Sequence, residues 1–184
     1  MKNILNIIIL FSFLNTYSQG NLSDRKIPSD TNVITNHSTT ILGKKVNYSA
    51  QIGTQPIWDA NGEVIATLHY TYYKRTDIDN NTNRPLVFSF NGGPGSASIW
   101  MHMGYTGPYN LKIDDEGNPI QPYGYKSNPY SILDVADIVF VNPINIGYSR
   151  ILKSMTKKEA ADKFFGVNQD IEYLAEWIST FTTR

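Results

Sequence analysis

The sequence predicts an α/β fold in which an antiparallel hairpin leads into a mostly parallel sheet that this chain leaves incomplete. Three observations carry that expectation. Two stretches rich in β-branched and aromatic residues, Val46 to Thr54 and Glu63 to Tyr73, flank the turn sequence Asp59-Ala60-Asn61-Gly62. Two short apolar runs, Leu86 to Phe90 and Asp137 to Val141, are bounded by turn residues and read as strands buried on both faces. Apolar residues recur near helical spacing from Phe164 through Ile171, Leu174 and Ile178 to Phe181.

From the N-terminus, Lys2 precedes the apolar stretch Ile4 to Leu14, which ends in the small and polar run Thr16 to Gln19. That layout predicts a secretory signal peptide over residues 1–18. At about eleven residues the apolar stretch is short of the roughly 20 needed to span a bilayer, so no membrane association is expected after cleavage. Residues 19–43 are rich in Ser, Thr, Asn and Asp and read as a flexible leader, with the organised domain over 44–184. The hairpin follows, then a polar loop from Asp77 to Asn83, and Arg84-Pro85 opens the first apolar run.

Beyond Gly107-Pro108, Tyr109 to Ile113 and Pro119 to Tyr123 flank Asp114-Asp115-Glu116-Gly117-Asn118, predicting a second, smaller hairpin. Thr156 and Glu159 have capping-box spacing at the head of one long amphipathic helix, Lys157 to Thr183. One helix cannot cover both faces of a largely parallel sheet, so the expectation is a portion of a longer protein.

Composition narrows the function classes. Sixteen basic and sixteen acidic residues give zero formal net charge, which argues against nucleic acid as a partner. There is no cysteine, so an exported form would depend on packing alone. The histidines, His37, His69 and His102, have no metal-ligand spacing with carboxylates, and neither a metal nor any other cofactor is expected.

The chemistry-bearing stretch is Asn91-Gly92-Gly93-Pro94-Gly95-Ser96-Ala97-Ser98, directly behind the first apolar run. At the carboxyl end of a buried strand a tight glycine turn can aim main-chain N–H groups into a crevice. This string, with Gly107-Pro108 downstream, resembles the signature of the serine carboxypeptidases, α/β hydrolases that remove C-terminal residues from peptides. Asp137 to Pro143 with Gly147-Tyr148-Ser149-Arg150 is similar to that family's next strand and its Asp-Pro-Val-Gly-Thr-Gly-Tyr-Ser loop. Phe164 to Trp177, with Gly166 and Gln169-Asp170, resembles the helix before the family's nucleophile strand.

The resemblance implies a partial α/β-hydrolase fold and a serine-type carboxypeptidase acting on a peptide with a free C-terminus. It implies that Gly93 supplies an oxyanion-hole N–H, that Gly92 shapes the turn, and that Asn91 hydrogen-bonds the substrate carboxylate. Tyr105 stands where the family often has a carboxylate-recognising Glu, and becomes the second candidate for substrate contact. Other departures are Ser89 for Trp, Ser96 for Cys, and Asn142, Asn145 and Ile146 for Asp, Gly and Thr. A cysteine-free, bacterial member is the expectation.

No Gly-x-Ser-x-Gly elbow and no match to the family's later Asp and His occur in the chain, so the chain alone is expected to be inactive. Ser149 in Gly147-Tyr148-Ser149-Arg150-Ile151 lacks the closing glycine and reads as structural. Two alternatives stay open: another α/β hydrolase such as a prolyl iminopeptidase-like enzyme, whose related motif begins with His, and a non-catalytic peptide-binding remnant.

Overall fold

The computed structural model describes residues 28–79, 83–91 and 95–184. The signal-peptide segment lies outside the described residues. Eight strands are present among the described residues: β1 (Thr31–Ile41), β2 (Lys44–Trp58), β3 (Val64–Arg75), β4 (Leu86–Ser89), β5 (Tyr109–Leu111), β6 (Tyr125–Ser127), β7 (Asp137–Val141) and β8 (Arg150–Ile151). The main sheet runs β1-β2-β3-β7-β4, with β8 also pairing with β3, and β5 and β6 form a separate two-stranded arm.

The expected hairpin is β2 and β3, paired antiparallel from Tyr48 opposite Arg75 up to a bulge at Ile57 and Trp58. Its turn is built by Asp59, whose carboxylate accepts from the N–H groups of Asn61 and Glu63, both at 3.0 Å. The stretch read as part of a flexible leader differs: over Thr31–Ile41 it is a strand, zipped antiparallel onto β2 along its whole length. Its polar composition hid this because most of β1 is an exposed edge, where only Thr39 and Ile41 turn inward and are buried.

The sheet is mixed rather than mostly parallel. β7 pairs antiparallel with β3 and parallel with β4, the one parallel pair among the described residues. All five residues of β7 are buried, as its apolar run demands. β4 is only half-buried, because it lies at the end of the sheet order and β7 flanks it on one side. The second hairpin forms with a different return strand: β5 pairs with Tyr125–Ser127, Tyr109 opposite Ser127 and Leu111 opposite Tyr125, and of the expected Pro119 to Tyr123 only Pro119 pairs, in an isolated bridge to Ile113.

The single long helix is two: α1 (Lys157–Phe164) and α2 (Val167–Thr183). The predicted capping box at Thr156 and Glu159 is formed, and the break falls at Phe165 and Gly166, where glycine's poor helix propensity gives way. The break lets Phe164 enter the core while Phe165 stays half exposed. Both helices cover one face of the sheet. There Leu68, Tyr70, Val139 and Val141 pack with Phe164, Tyr173 and Trp177. Gln55 and Trp177 fasten the layers: Gln55 Nε2 donates to the Trp177 carbonyl at 3.0 Å and the indole N–H donates to the Gln55 carbonyl at 3.3 Å. A smaller cluster of Ile41, Val46, Tyr48, Ala50 and Leu133 forms a second core, with Tyr73 and Tyr109 packed against it.

Candidate active site

Because Ser89 pairs with Phe140, β4 and β7 leave the sheet at nearly the same level, one into Phe90-Asn91 and the other into Asn142. The glycine turn therefore starts at the carboxyl end of a parallel pair, where open α/β sheets place ligands. Asn91 is half-buried there. Gly92 and Gly93, the candidate oxyanion-hole residues, lie outside the described residues.

Beside the carboxyl end of β7 lies a cavity of about 250 Å³ lined by His69, Thr71, Ser98, His102, Phe140, Asn142 and Tyr148. Alternation along β3 sends Thr67, His69, Thr71 and Tyr73 to the face opposite Leu68, Tyr70 and Tyr72, which join the core beneath the helices. The cavity and the helices thus occupy opposite sides of the sheet.

Asn142 is the junction of this region. Its Oδ1 accepts from the Ser98 N–H at 2.9 Å, its Nδ2 lies 3.2 Å from His69 Nδ1, and its own N–H donates to the His69 carbonyl at 3.0 Å. Gly147 makes room for that amide: with φ of +53° it adopts a left-handed conformation, and a Cβ there would lie 2.6 Å from Asn142 Nδ2. Asn142 was legible in the sequence only as a departure from Asp in the resembled loop.

Ser149 is fully buried and structural. Its hydroxyl donates to the Asn142 carbonyl at 2.6 Å and accepts from the His69 N–H at 2.9 Å, tying the loop to β3. Ser98 is also buried, and its hydroxyl donates to the Val141 carbonyl. Among the described residues neither serine is bonded to an imidazole, so neither has the base that a nucleophile requires.

His102 sits in a six-residue π-helical turn, Met101–Thr106, with its ring stacked on Phe140 at 4.5 Å and its Nε2 2.6 Å from the Tyr73 hydroxyl. Burial, with a smaller push from His69, holds its pKa down to about 4, and burial raises Tyr73 to about 12. Both rings are therefore neutral at physiological pH. The same His102 ring borders a second cavity of about 280 Å³ walled by Tyr48, Tyr73, Tyr109, Tyr125 and Met103.

The Gly107-Pro108 element has a steric reason. Gly107 N–H donates to the His102 carbonyl at 3.1 Å, and a Cβ on Gly107 would lie 2.3 Å from that oxygen. Tyr105 closes the same turn. Its carbonyl accepts from buried Asn128 at 2.7 Å, while its ring is 67% exposed beside an apolar cavity of about 490 Å³ shared with Trp100, Leu111, Ile113 and Tyr123. Asn128 also donates to the Gly107 carbonyl at 2.9 Å, a fastening the sequence did not reveal. Among the described residues no group of three or more His, Cys, Asp or Glu is arranged to hold a metal ion. None of the described helices is long and apolar enough to cross a membrane.

A family model described as "Serine carboxypeptidase" matches residues 57–184, well over half of the chain. Among curated relatives, Serine carboxypeptidase-like 31 of Arabidopsis thaliana is 27% identical over 142 residues, covering 74% of this chain and 25% of the relative. Serine carboxypeptidase-like 29 of the same plant is 28% identical over 112 residues, or 60% of this chain and 22% of the relative. Carboxypeptidase Y of Candida albicans is 32% identical over 96 residues, or 52% and 16%. The chain thus spans a quarter or less of the length of these relatives.

Proposed function

Because the chain belongs to the serine carboxypeptidase family, we propose that it is the part of a secreted, serine-type peptidase that supplies the oxyanion hole and the site for the substrate's terminal carboxylate. The observation that carries this reading is the position of Asn91: half-buried, at the carboxyl end of β4, level with the Asn142 end of β7, with the two glycines following it. In this reading the Gly93 N–H donates to the oxyanion of the tetrahedral intermediate, a contact worth about 2.7 to 4 kcal/mol in comparable sites. Gly92 gives the turn its shape. The Asn91 amide donates to the peptide's free carboxylate, and the Tyr105 ring borders the departing residue.

The Ser, Asp and His that would attack, orient and shuttle the proton are not matched by any motif here, so this chain alone is proposed to be inactive. Export rests on the N-terminal residues, and placement in a bacterial branch rests on the absence of cysteine.

Two measurements test the reading. A fluorophosphonate probe is expected to leave the chain unlabelled; stoichiometric labelling would locate a nucleophile in it and overturn the assignment. In an active form containing these residues, Asn91→Ala is expected to raise KM by tenfold or so for peptides ending in a free carboxylate, the loss of about one charge-assisted hydrogen bond. The same substitution should barely affect the corresponding amides. Equal effects on acid and amide would remove Asn91 from carboxylate recognition and favour a hydrolase that reads another part of its substrate.

A further inference from the structure

The reading above gives the Asn142 and His69 side chains no role, yet their geometry determines a protonation state. Ser98 contributes a main-chain N–H, which can only donate, so the atom 2.9 Å from it must be the carbonyl oxygen of the Asn142 amide. That assignment turns the NH₂ of Asn142 toward His69 Nδ1, 3.2 Å away. An NH₂ can only donate, so Nδ1 must present its lone pair, and the neutral imidazole carries its proton on Nε2.

Asn142 is fixed at its own N–H by the His69 carbonyl and at its own carbonyl by the Ser149 hydroxyl. We propose that Asn142 is a positioning residue that holds His69 as the Nε2–H tautomer and anchors the Ser98 main chain behind the glycine turn, and that protonation of His69 breaks this anchor.

The step follows from counting donors. A protonated His69 places an Nδ1–H against the Asn142 NH₂, donor facing donor. Turning the amide over lets its oxygen accept from the imidazolium, the charge-assisted and stronger bond, and sets the NH₂ against the Ser98 N–H, so the Ser98 bond is the one lost. The surroundings offer an imidazolium no compensation. His102 shares the cavity, the Tyr148 ring lies 5.3 Å from His69, Tyr73 is engaged with His102, and the Arg150 guanidinium donates to the carbonyls of Gly147 and Ser149. Among the described residues no carboxylate lines the cavity, and burial holds the His69 pKa below its ordinary value. An Asp at this position would behave oppositely, since a carboxylate accepts from both Ser98 N–H and an Nδ1–H.

The tautomer and the anchor do not depend on the proposed function. The test accordingly uses no substrate. Long-range ¹H–¹⁵N spectra of the histidine rings, with amide exchange, are recorded on the chain and on Asn142→Asp across a pH series. For the unmodified chain we expect His69 as a single Nε2–H tautomer, and Ser98 amide protection, relative to the intrinsic exchange rate at each pH, that falls about tenfold, as for one lost hydrogen bond, when His69 titrates. For Asn142→Asp we expect the Nδ1–H tautomer and a His69 pKa raised above its ordinary value. An Nδ1–H or mixed tautomer in the unmodified chain, or Ser98 exchange that does not follow His69, overturns the proposal. So does an Asn142→Asp variant whose His69 is unchanged. Should that variant fail to fold, the unmodified chain's spectra decide alone.

Discussion

Ser149 shows how one hydroxyl can imitate a catalytic group and serve another end. It follows Gly147-Tyr148 in a loop after a buried strand, yet it is enclosed between a donor and an acceptor of the main chain. Ser149→Ala would leave both unpaired in a buried place. The expected loss is about 1 to 3 kcal/mol, read as a lower denaturation midpoint at unchanged slope. Its structural role was legible in the missing closing glycine. The role of Asn142 was not, because it depends on Ser98, which is far away in sequence and reaches it through the fold. Gly107 lies between these cases: its pairing with Pro108 marked a motif, but only the approach of the His102 carbonyl explains why no side chain fits.

At the scale of elements, patterns that depend on near neighbours were the readable ones. The Asp59 and Asp114 turns and the Thr156 capping box formed as their local spacing required. β1 is not legible in the sequence because an edge strand needs few apolar residues, and its partner β2 supplies the order. The last helix is shorter than its sequence predicts because a continuous apolar period does not reveal a break at Phe165 and Gly166. The tie between α2 and β2 likewise needs residues 55 and 177 brought together. Trp177 is 1% exposed and its ring packs with Tyr70, Phe88 and Phe181. Trp177→Ala should cost about 3 to 5 kcal/mol, including a lost bond to the Gln55 carbonyl. Trp177→Phe should cost clearly less, and equal losses would show that the indole N–H rather than the buried area holds α2 in place.

For the whole molecule, acid is the informative variable. His102 has its folded pKa pushed down from 6.5 to about 4, chiefly by burial. The unfolded chain therefore binds a proton that the folded chain refuses, and stability must fall as pH drops from 6.5 toward 4, then level off. The full effect is about 3 kcal/mol at 1.36 kcal/mol per pKa unit. His69 adds in the same direction. Denaturation midpoints measured across that window should show the decline, and His102→Gln should flatten most of it. A slope unaltered by the substitution would assign the acid sensitivity elsewhere. The order of strands within the sheet was beyond the sequence, since it depends on β7 inserting between β3 and β4. The sequence did identify which two apolar runs would lie in the sheet, and hence where the glycine turn would emerge.

The alternation of β3 from Leu68 to Tyr73 carries one more consequence, for insertions and deletions. Leu68, Tyr70 and Tyr72 supply the core under the helices, while His69, Thr71 and Tyr73 serve the cavity face. A residue removed from the middle of β3 would exchange the two sets at once, driving His69 toward Trp177 and Phe181 and turning aromatic rings toward the crevice. Length can change only where pairing is already irregular. The bulge at Ile57 and Trp58 and the turn beyond it are such a place, so lineages of this chain should vary in length there and keep the spacing from Leu68 to Tyr73 intact.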